Sequence, residues 1–170
     1  TDDAALAARA RYLTTQAKDD ELESVHEAVG YNYRLSSLHA ALGLAQLEQL
    51  EAFIAKKRAI ARRYEEALRD VAGLTLMPAP ADIEPTYWLY TIMLSAGTVA
   101  SRKAAVQQLR AAGIEARPLW HPIHGLRPYR GCQVVGGGQA QHLYERGISL
   151  PSGVGLTEPQ QQRCIAAVRR

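Results

Sequence analysis

Three short stretches of the chain gather side chains suited to binding. The first, Gly30-Tyr31-Asn32-Tyr33-Arg34-Leu35-Ser36, stands just ahead of an apolar-periodic segment. Backbone N–H groups at a helix start, the Asn32 amide and the Arg34 guanidinium make an anion site, because arginine offers paired donors that match phosphate oxygens. The second, Arg117-Pro118-Leu119-Trp120-His121-Pro122-Ile123-His124, puts one indole and two imidazoles in a proline-restrained loop. Trp120, His121 and His124 suit stacking on a ring and hydrogen bonding to hydroxyls or phosphate. The third, Gly147-Ile148-Ser149-Leu150-Pro151-Ser152, is a brief strand that Pro151 ends. Residue types leave other readings open. Asn32 can simply turn the chain beside a surface Arg34, and Trp120 can fill a core gap. His121, His124, Cys132 and His142 are in principle a four-ligand zinc set, although the paired short ligand runs of structural zinc sites are missing.

Elements that would hold these stretches follow from the periodicity. Thr1, Asp2 and Asp3 predict a helix start running to about Leu13, and Thr14 to Glu23 reads as a loop. Leu35, Leu38, Leu42, Ala45, Leu47, Leu50, Ile54, Ala61, Tyr64 and Leu68 recur mostly at three- and four-residue steps, which predicts one long helix capped by Ser36 or Ser37 and stopped by Gly73. At 1.5 Å per residue such a rod spans roughly 50 Å. Its polar face, with Lys56, Lys57, Arg58, Arg62 and Arg63, reads as solvated rather than as a nucleic-acid patch. Beyond Gly73, residues 74–77 and 87–94 are short, β-prone and bounded by proline or glycine. A helix from Ser101 to Ala112 and a strand over Ile114 to Arg117 follow. Pro118 to Gly138, with three prolines and five glycines, reads as an irregular excursion suited to ligand contacts. A short helix over Gln139 to Arg146, the strand ended by Pro151, and a last helix with a Thr157/Gln160 capping box close the chain.

Composition narrows the class. With 170 residues, 47% hydrophobic and 22% charged, the chain has the profile of a folded globular domain. A net charge of +3 suits phosphorylated small molecules and falls short of a nucleic-acid footprint. Two cysteines are too few for a disulfide framework, and no apolar run of about 18 residues is present, so the expectation is a cytoplasmic protein with no membrane or nucleic-acid partner. The start, Thr1-Asp2-Asp3-Ala4, has no signal-peptide character and no Met, which suggests a fragment.

The three stretches, in this order and separated by the periodic segment, resemble the DegT/StrS-type nucleotide-sugar aminotransferases. Tyr31-Asn32-Tyr33-Arg34-Leu35-Ser36 followed by Ala40-Ala41-Leu42-Gly43 and Gln46-Leu47 is the most specific part of the likeness. Tyr87-Trp88-Leu89-Tyr90, Trp120-His121-Pro122-Ile123-His124 and Leu150-Pro151 reinforce it over nearly the whole chain. The resemblance implies the C-terminal part of a fold-type I enzyme in which pyridoxal 5'-phosphate moves an amino group, usually from glutamate, onto a keto-sugar carried by a nucleotide diphosphate. It implies an α+β fold: residues 1–30 as the tail of a large domain, 31–72 as the cofactor turn and long connecting helix, and 73–170 as a small domain with a mainly antiparallel sheet and packed helices.

By the same resemblance Asn32 reaches the cofactor phosphate of the other subunit of a homodimer and Arg34 helps bind substrate there. Trp120, His121 and His124 match the loop that closes over the sugar nucleotide, in substrate contact rather than proton transfer. The family's cofactor-bearing lysine and the acid facing the pyridinium nitrogen lie upstream of the region matched here. Lys18, Lys56, Lys57 and Lys103 are the chain's lysines, and none sits in the family's serine- and glycine-rich lysine segment. They read as solvated charges, so no catalytic residue is assigned, and the fragment is expected to hold no cofactor and to be inactive alone. Some relatives carry histidine in place of the lysine and dehydrate instead. Two departures stand out: His39 where the family has glutamine, and Gly136-Gly137-Gly138 in place of a proline-marked approach to the next helix. A non-catalytic dimerisation or sugar-nucleotide-binding module is the alternative. An apolar stripe on so long a helix further predicts self-association or burial by rearrangement.

Overall fold

A computed structural model describes residues 1–20, 22–136 and 138–170, and divides the chain into two compact units, Thr1–Leu50 and Glu51–Arg170. The glycine run at 136–138 and the loop at 14–23 thus fall partly outside the described residues.

In the first unit, helix α1 covers Ala4–Thr14. Its cap is Asp3 rather than Thr1: the Asp3 carboxylate accepts from the Ala5 and Leu6 N–H groups at 2.9 and 3.0 Å, which leaves Thr1 outside the helix. Helix α2 covers Ser37–Leu47, with Ser36 as the cap accepting from the His39 N–H. None of the α2 side chains is buried, and Leu35, Leu38, Leu42 and Leu47 are each more than 60% exposed. The periodic stretch expected as one helix is therefore two, since α3 begins at Leu50. At the interruption the Gln49 N–H bonds the Gln46 carbonyl, three residues back, and the Gln49 side chain caps the Ala45 carbonyl at 3.1 Å. That tightened turn replaces one step of the α ladder.

The second unit is built on a four-stranded antiparallel sheet in the order β1-β2-β4-β3: β1 Leu74–Leu76, β2 Tyr90–Leu94, β3 Arg117–Pro118 and β4 Gly147–Leu150. Helices α3 (Leu50–Leu68), α4 (Val99–Ala111), α5 (Gln139–Arg146) and α6 (Glu158–Val168) complete it. Ile60, Ala61, Tyr64 and Leu68 of α3 share one core with Ile92, Val106, Leu109, Ile148, Cys164 and Ile165. The expected α+β architecture is present, with an antiparallel sheet covered by helices.

Local differences have local causes. Strand β2 starts at Tyr90 instead of residue 87 because Tyr87 is in the left-handed region, at φ 49°, where a strand cannot continue. Helix α4 starts earlier than Ser101, since Thr98 and Ser101 form a reciprocal capping box. Strand β3 is only two residues long because the Ala116 N–H turns back to the Ile114 carbonyl at 2.8 Å. The last helix has the expected capping box, with Thr157 and Gln160 bonded reciprocally. No helix among the described residues is long and apolar enough to cross a membrane.

Candidate functional site

In the first unit the segment before α2 is strapped against the end of α1. The Tyr31 N–H donates to the Leu13 carbonyl at 2.7 Å, the Gln16 N–H to the Tyr31 carbonyl at 3.0 Å, and the Tyr33 N–H to the Thr14 carbonyl at 3.0 Å. Asn32 thereby forms an isolated antiparallel bridge with Thr15. Gly30 permits this approach, because a Cβ there would lie 2.3 Å from the Gln16 carbonyl carbon and 2.4 Å from the Ala17 nitrogen. Gln16 and Ala17 themselves take positive φ values of 71° and 49°, so the partner side of the strap is strained backbone without glycine.

Asn32 and Arg34 are both exposed at the mouth of this turn. The Asn32 Oδ1 accepts from the Arg34 N–H at 3.4 Å, an arrangement that commits the carbonyl end of the amide to the turn. Among the described residues neither the Asn32 amide N–H2 nor the Arg34 guanidinium has a protein partner. An exposed amide donor and an exposed guanidinium beside the start of α2 fit a phosphate as a donor set. Tyr31 and Tyr33 flank Asn32 with rings stacked at 5.5 Å.

The Asp19 carboxylate anchors the segment that leads into the strap. It accepts from the Glu27 N–H at 2.7 Å and from the Tyr12 hydroxyl at 2.8 and 2.9 Å, and these bonds hold its pKa below the ordinary carboxylate value.

The second unit holds a cleft of about 510 Å³ lined by Lys57, Trp88, Arg117, Trp120, the end of β4 and the Pro151–Gly153 turn. Trp88 and Trp120 stack at 5.7 Å with an interplanar angle of 15°. The loop carrying Trp88 is pinned to α3: Lys57 Nζ donates to the Trp88 carbonyl at 2.6 Å, Arg58 Nε to the Pro85 carbonyl at 3.2 Å, and the Tyr87 hydroxyl to Glu65 at 3.2 Å. Between these ties Tyr87 takes its left-handed conformation. Lys57 is half-buried, and burial lowers its pKa. The expectation of a solvated Lys57 is thus corrected: its neighbour Lys56 is exposed, while Lys57, one residue further round α3, lines the cleft. Arg117 pairs with Glu115 at the rim. At the floor, Tyr64 donates to the Pro151 carbonyl at 2.8 Å, and Ser152 Oγ accepts from the Tyr90 N–H at 3.2 Å.

Of the loop residues expected to touch substrate, only Trp120 lines this cleft. His121 lies against the Tyr144 ring at 4.7 Å, and Tyr144 in turn covers the buried Arg102 guanidinium at 4.3 Å. His121 Nδ1 is 3.0 Å from the Pro122 carbonyl, which only accepts, so Nδ1 is the donor of this bond. Gly125 makes room for that ring, since a Cβ would sit 2.5 Å from His121 Cε1. His124 is exposed on the 3₁₀ turn Ile123–Gly125. Among the described residues no three His, Cys, Asp or Glu side chains gather as a metal would need, so the zinc set His121, His124, Cys132 and His142 is not assembled.

The sequence model of the DegT/DnrJ/EryC1/StrS aminotransferase family matches residues 1–169, and the chain belongs to that family. It is 38% identical over 169 residues to EpsN of Bacillus subtilis, whose name assigns it provisionally as a pyridoxal phosphate-dependent aminotransferase; the match covers 97% of this chain and 43% of EpsN. It is 34% identical to the GDP-perosamine synthase of Caulobacter vibrioides, over 99% of this chain and 46% of that protein. The crystal structure of the aminotransferase TlmJ from Streptoalloteichus hindustanus superposes with a TM-score of 0.83 at 27% identity, covering 99% of this chain and 45% of TlmJ. The chain thus spans less than half the length of the relatives it matches.

Proposed function

We propose that the chain is the C-terminal part of a pyridoxal-phosphate-dependent aminotransferase that moves an amino group, from glutamate, onto a nucleotide-linked keto-sugar. The family match across residues 1–169 carries this reading. Names of relatives as different as a GDP-perosamine synthase and a dTDP-sugar transaminase support a nucleotide-sugar substrate without choosing the sugar. When bound, the cofactor supplies the electron sink for the transfer. Asn32 donates its amide to the cofactor phosphate of the other subunit in a homodimer, and Arg34 pairs with an anionic group of the substrate. Trp120, His121 and His124 orient the sugar nucleotide and exclude water from it.

The four lysines present leave these 170 residues without a group in the family's lysine context, so the matched region alone binds and does not transaminate. The test supplies the protein with pyridoxal phosphate, glutamate and a panel of GDP-, dTDP- and UDP-linked keto-sugars, and follows amino-sugar formation by mass spectrometry. Amino product from the product of the intact source gene, absent from the 170-residue chain, is expected. Amino transfer by the 170-residue chain itself would overturn the division of labour. Nucleotide-sugar binding by an intact gene product that never aminates would favour the binding module.

A further inference from the structure

In the first unit the strap leans on a left-handed corner that contains no glycine. Gln16 and Ala17 take φ values of 71° and 49°, and Ala17 is fully buried. Such a corner persists only where its surroundings hold it, and three hydrogen bonds do so here. The Gln16 N–H donates to the Tyr31 carbonyl at 3.0 Å, and the Ala17 N–H to the Tyr12 carbonyl at 2.9 Å. The third bond comes from a side chain: His26 Nδ1 lies 2.8 Å from the Gln16 carbonyl, and because a carbonyl only accepts, Nδ1 donates. Asp19 fixes the backbone on both sides of His26, with its N–H on the Val25 carbonyl at 2.9 Å and its carboxylate on the Glu27 N–H at 2.7 Å. His26 thus grips Gln16 by the carbonyl while the strap grips it by the N–H.

We propose that His26 is a positioning residue for Asn32: it fixes the Gln16–Ala17 corner, the corner sets the register of the strap, and that register presents the Asn32 amide donor to a phosphate. The inference rests on the reading of Asn32 as a phosphate contact given above. His26 acts through backbone and touches no ligand itself. Asn32 bridges Thr15, the residue next to Gln16, so a twist at the corner reaches Asn32 within one residue. The Asn32 Oδ1 is committed to the Arg34 N–H, so the direction of the remaining amide donor follows the backbone of the strap. The same geometry says what can replace the imidazole. Asparagine carries Nδ2 on Cγ, where histidine carries Nδ1, and so offers a donor at the same reach; alanine offers none. A histidine present only as a polar surface residue would be replaced equally well by either.

In the 170-residue chain, hydrogen exchange at the Tyr31 and Tyr33 amides should quicken by about threefold to tenfold in His26→Ala, from the loss of one hydrogen bond, and return to within about twofold of the parent in His26→Asn. The Ala7 amide, bonded to the Asp3 carbonyl at the far end of α1, should keep its rate, which separates a loosened corner from an unfolded unit. The apo form of the intact gene product is then titrated with pyridoxal phosphate and with pyridoxal. His26→Ala should weaken the phosphate compound by about threefold to tenfold and leave pyridoxal unchanged, and His26→Asn should restore the parent affinity. In an Asn32→Ala background, His26→Ala should have no further effect, because the two act as one unit. Circular dichroism confirms folding, with His26→Leu as the second variant if His26→Ala fails to fold. Unchanged exchange in a folded His26→Ala, no rescue by His26→Asn, equal weakening of pyridoxal, or additive effects in the double variant each overturn the inference. If Asn32→Ala weakens pyridoxal phosphate and His26→Ala does not, the inference falls alone and the reading of Asn32 stands; if Asn32→Ala changes nothing, both fall. The amination assay judges the enzyme reading separately.

Discussion

Replacing Gly30 with alanine should release the strap that presents Asn32. A Cβ at Gly30 meets the Gln16 carbonyl carbon at 2.3 Å, the Ala17 nitrogen at 2.4 Å and the Ala17 Cβ at 2.8 Å. Carbon atoms pack at about 3.5–4.0 Å, so the two backbones must separate by roughly 1 Å. The three hydrogen bonds joining them measure 2.7–3.0 Å, and opening by about 1 Å carries each beyond bonding distance. At about 1 kcal/mol each, the lost bonds amount to about 3 kcal/mol, or a hundredfold or more in local opening. The assay is NMR-detected hydrogen exchange at the amides of Tyr31 and Tyr33, both donors in the strap. Gly43→Ala is the control, because a Cβ there meets nothing within 4 Å on helix α2, and alanine should stabilise that helix by about 0.5–1 kcal/mol. Exchange at Tyr31 and Tyr33 within about threefold of the parent in Gly30→Ala would refute the reasoning, since the hundredfold figure follows from the broken bonds.

Three further outcomes follow from separate features. Tyr64→Phe removes the donor to the Pro151 carbonyl from a fully buried ring and should cost about 1–2 kcal/mol, lowering the melting temperature by roughly 2–8 °C in a calorimetric scan. Asp19 has a depressed pKa in the folded chain, so its anchoring of Glu27 and Tyr12 is fully present above the ordinary carboxylate pKa and is lost as pH falls through the depressed one. The protection factor of the Glu27 amide, with the intrinsic pH dependence of exchange divided out, should fall in that window, and Asp19→Asn should remove that fall. The exposed leucines of α2 should make the chain associate, so light scattering after size exclusion should give a mass above the monomer, and Leu38→Lys with Leu42→Glu should restore the monomer.

Much of the fold could be read from local chemistry. Thr157 and Gln160 at capping-box spacing, Pro151 after an apolar run and Gly113 after α4 each act within a few residues, and each appears where those residues predict. The failures also have local physical causes that periodicity does not report. Leu47 and Leu50 fit one apolar stripe on a continuous rod, yet the Gln49 side chain can satisfy the Ala45 carbonyl and the Gln49 N–H can reach Gln46, so the ladder breaks without losing its bonds. Tyr87 is β-prone by type, yet it takes a left-handed conformation with its hydroxyl bonded to Glu65 of α3, a tertiary contact that residue type does not report.

The site was legible in proportion to how much of its recognition lies in short sequence. Asn32 and Arg34 sit two residues apart, so their grouping as a candidate anion site is visible before any fold is known. Lys57 and Trp88 are 31 residues apart, Lys57 looks like one of five cations on a polar helix face, and nothing at that spacing says which of them turns inward. The deciding fact is tertiary: Ile60, Ala61, Tyr64 and Leu68 fix which side of α3 packs on the sheet, and Lys57, one turn before Ile60 and Ala61, is carried to the edge of that buried face. There the ammonium donates to the Trp88 carbonyl, and a residue that reads as solvated becomes part of the cleft wall. Helix α3 thus does two things at once, closing the core with one face and lining the cleft with the margin of the same face.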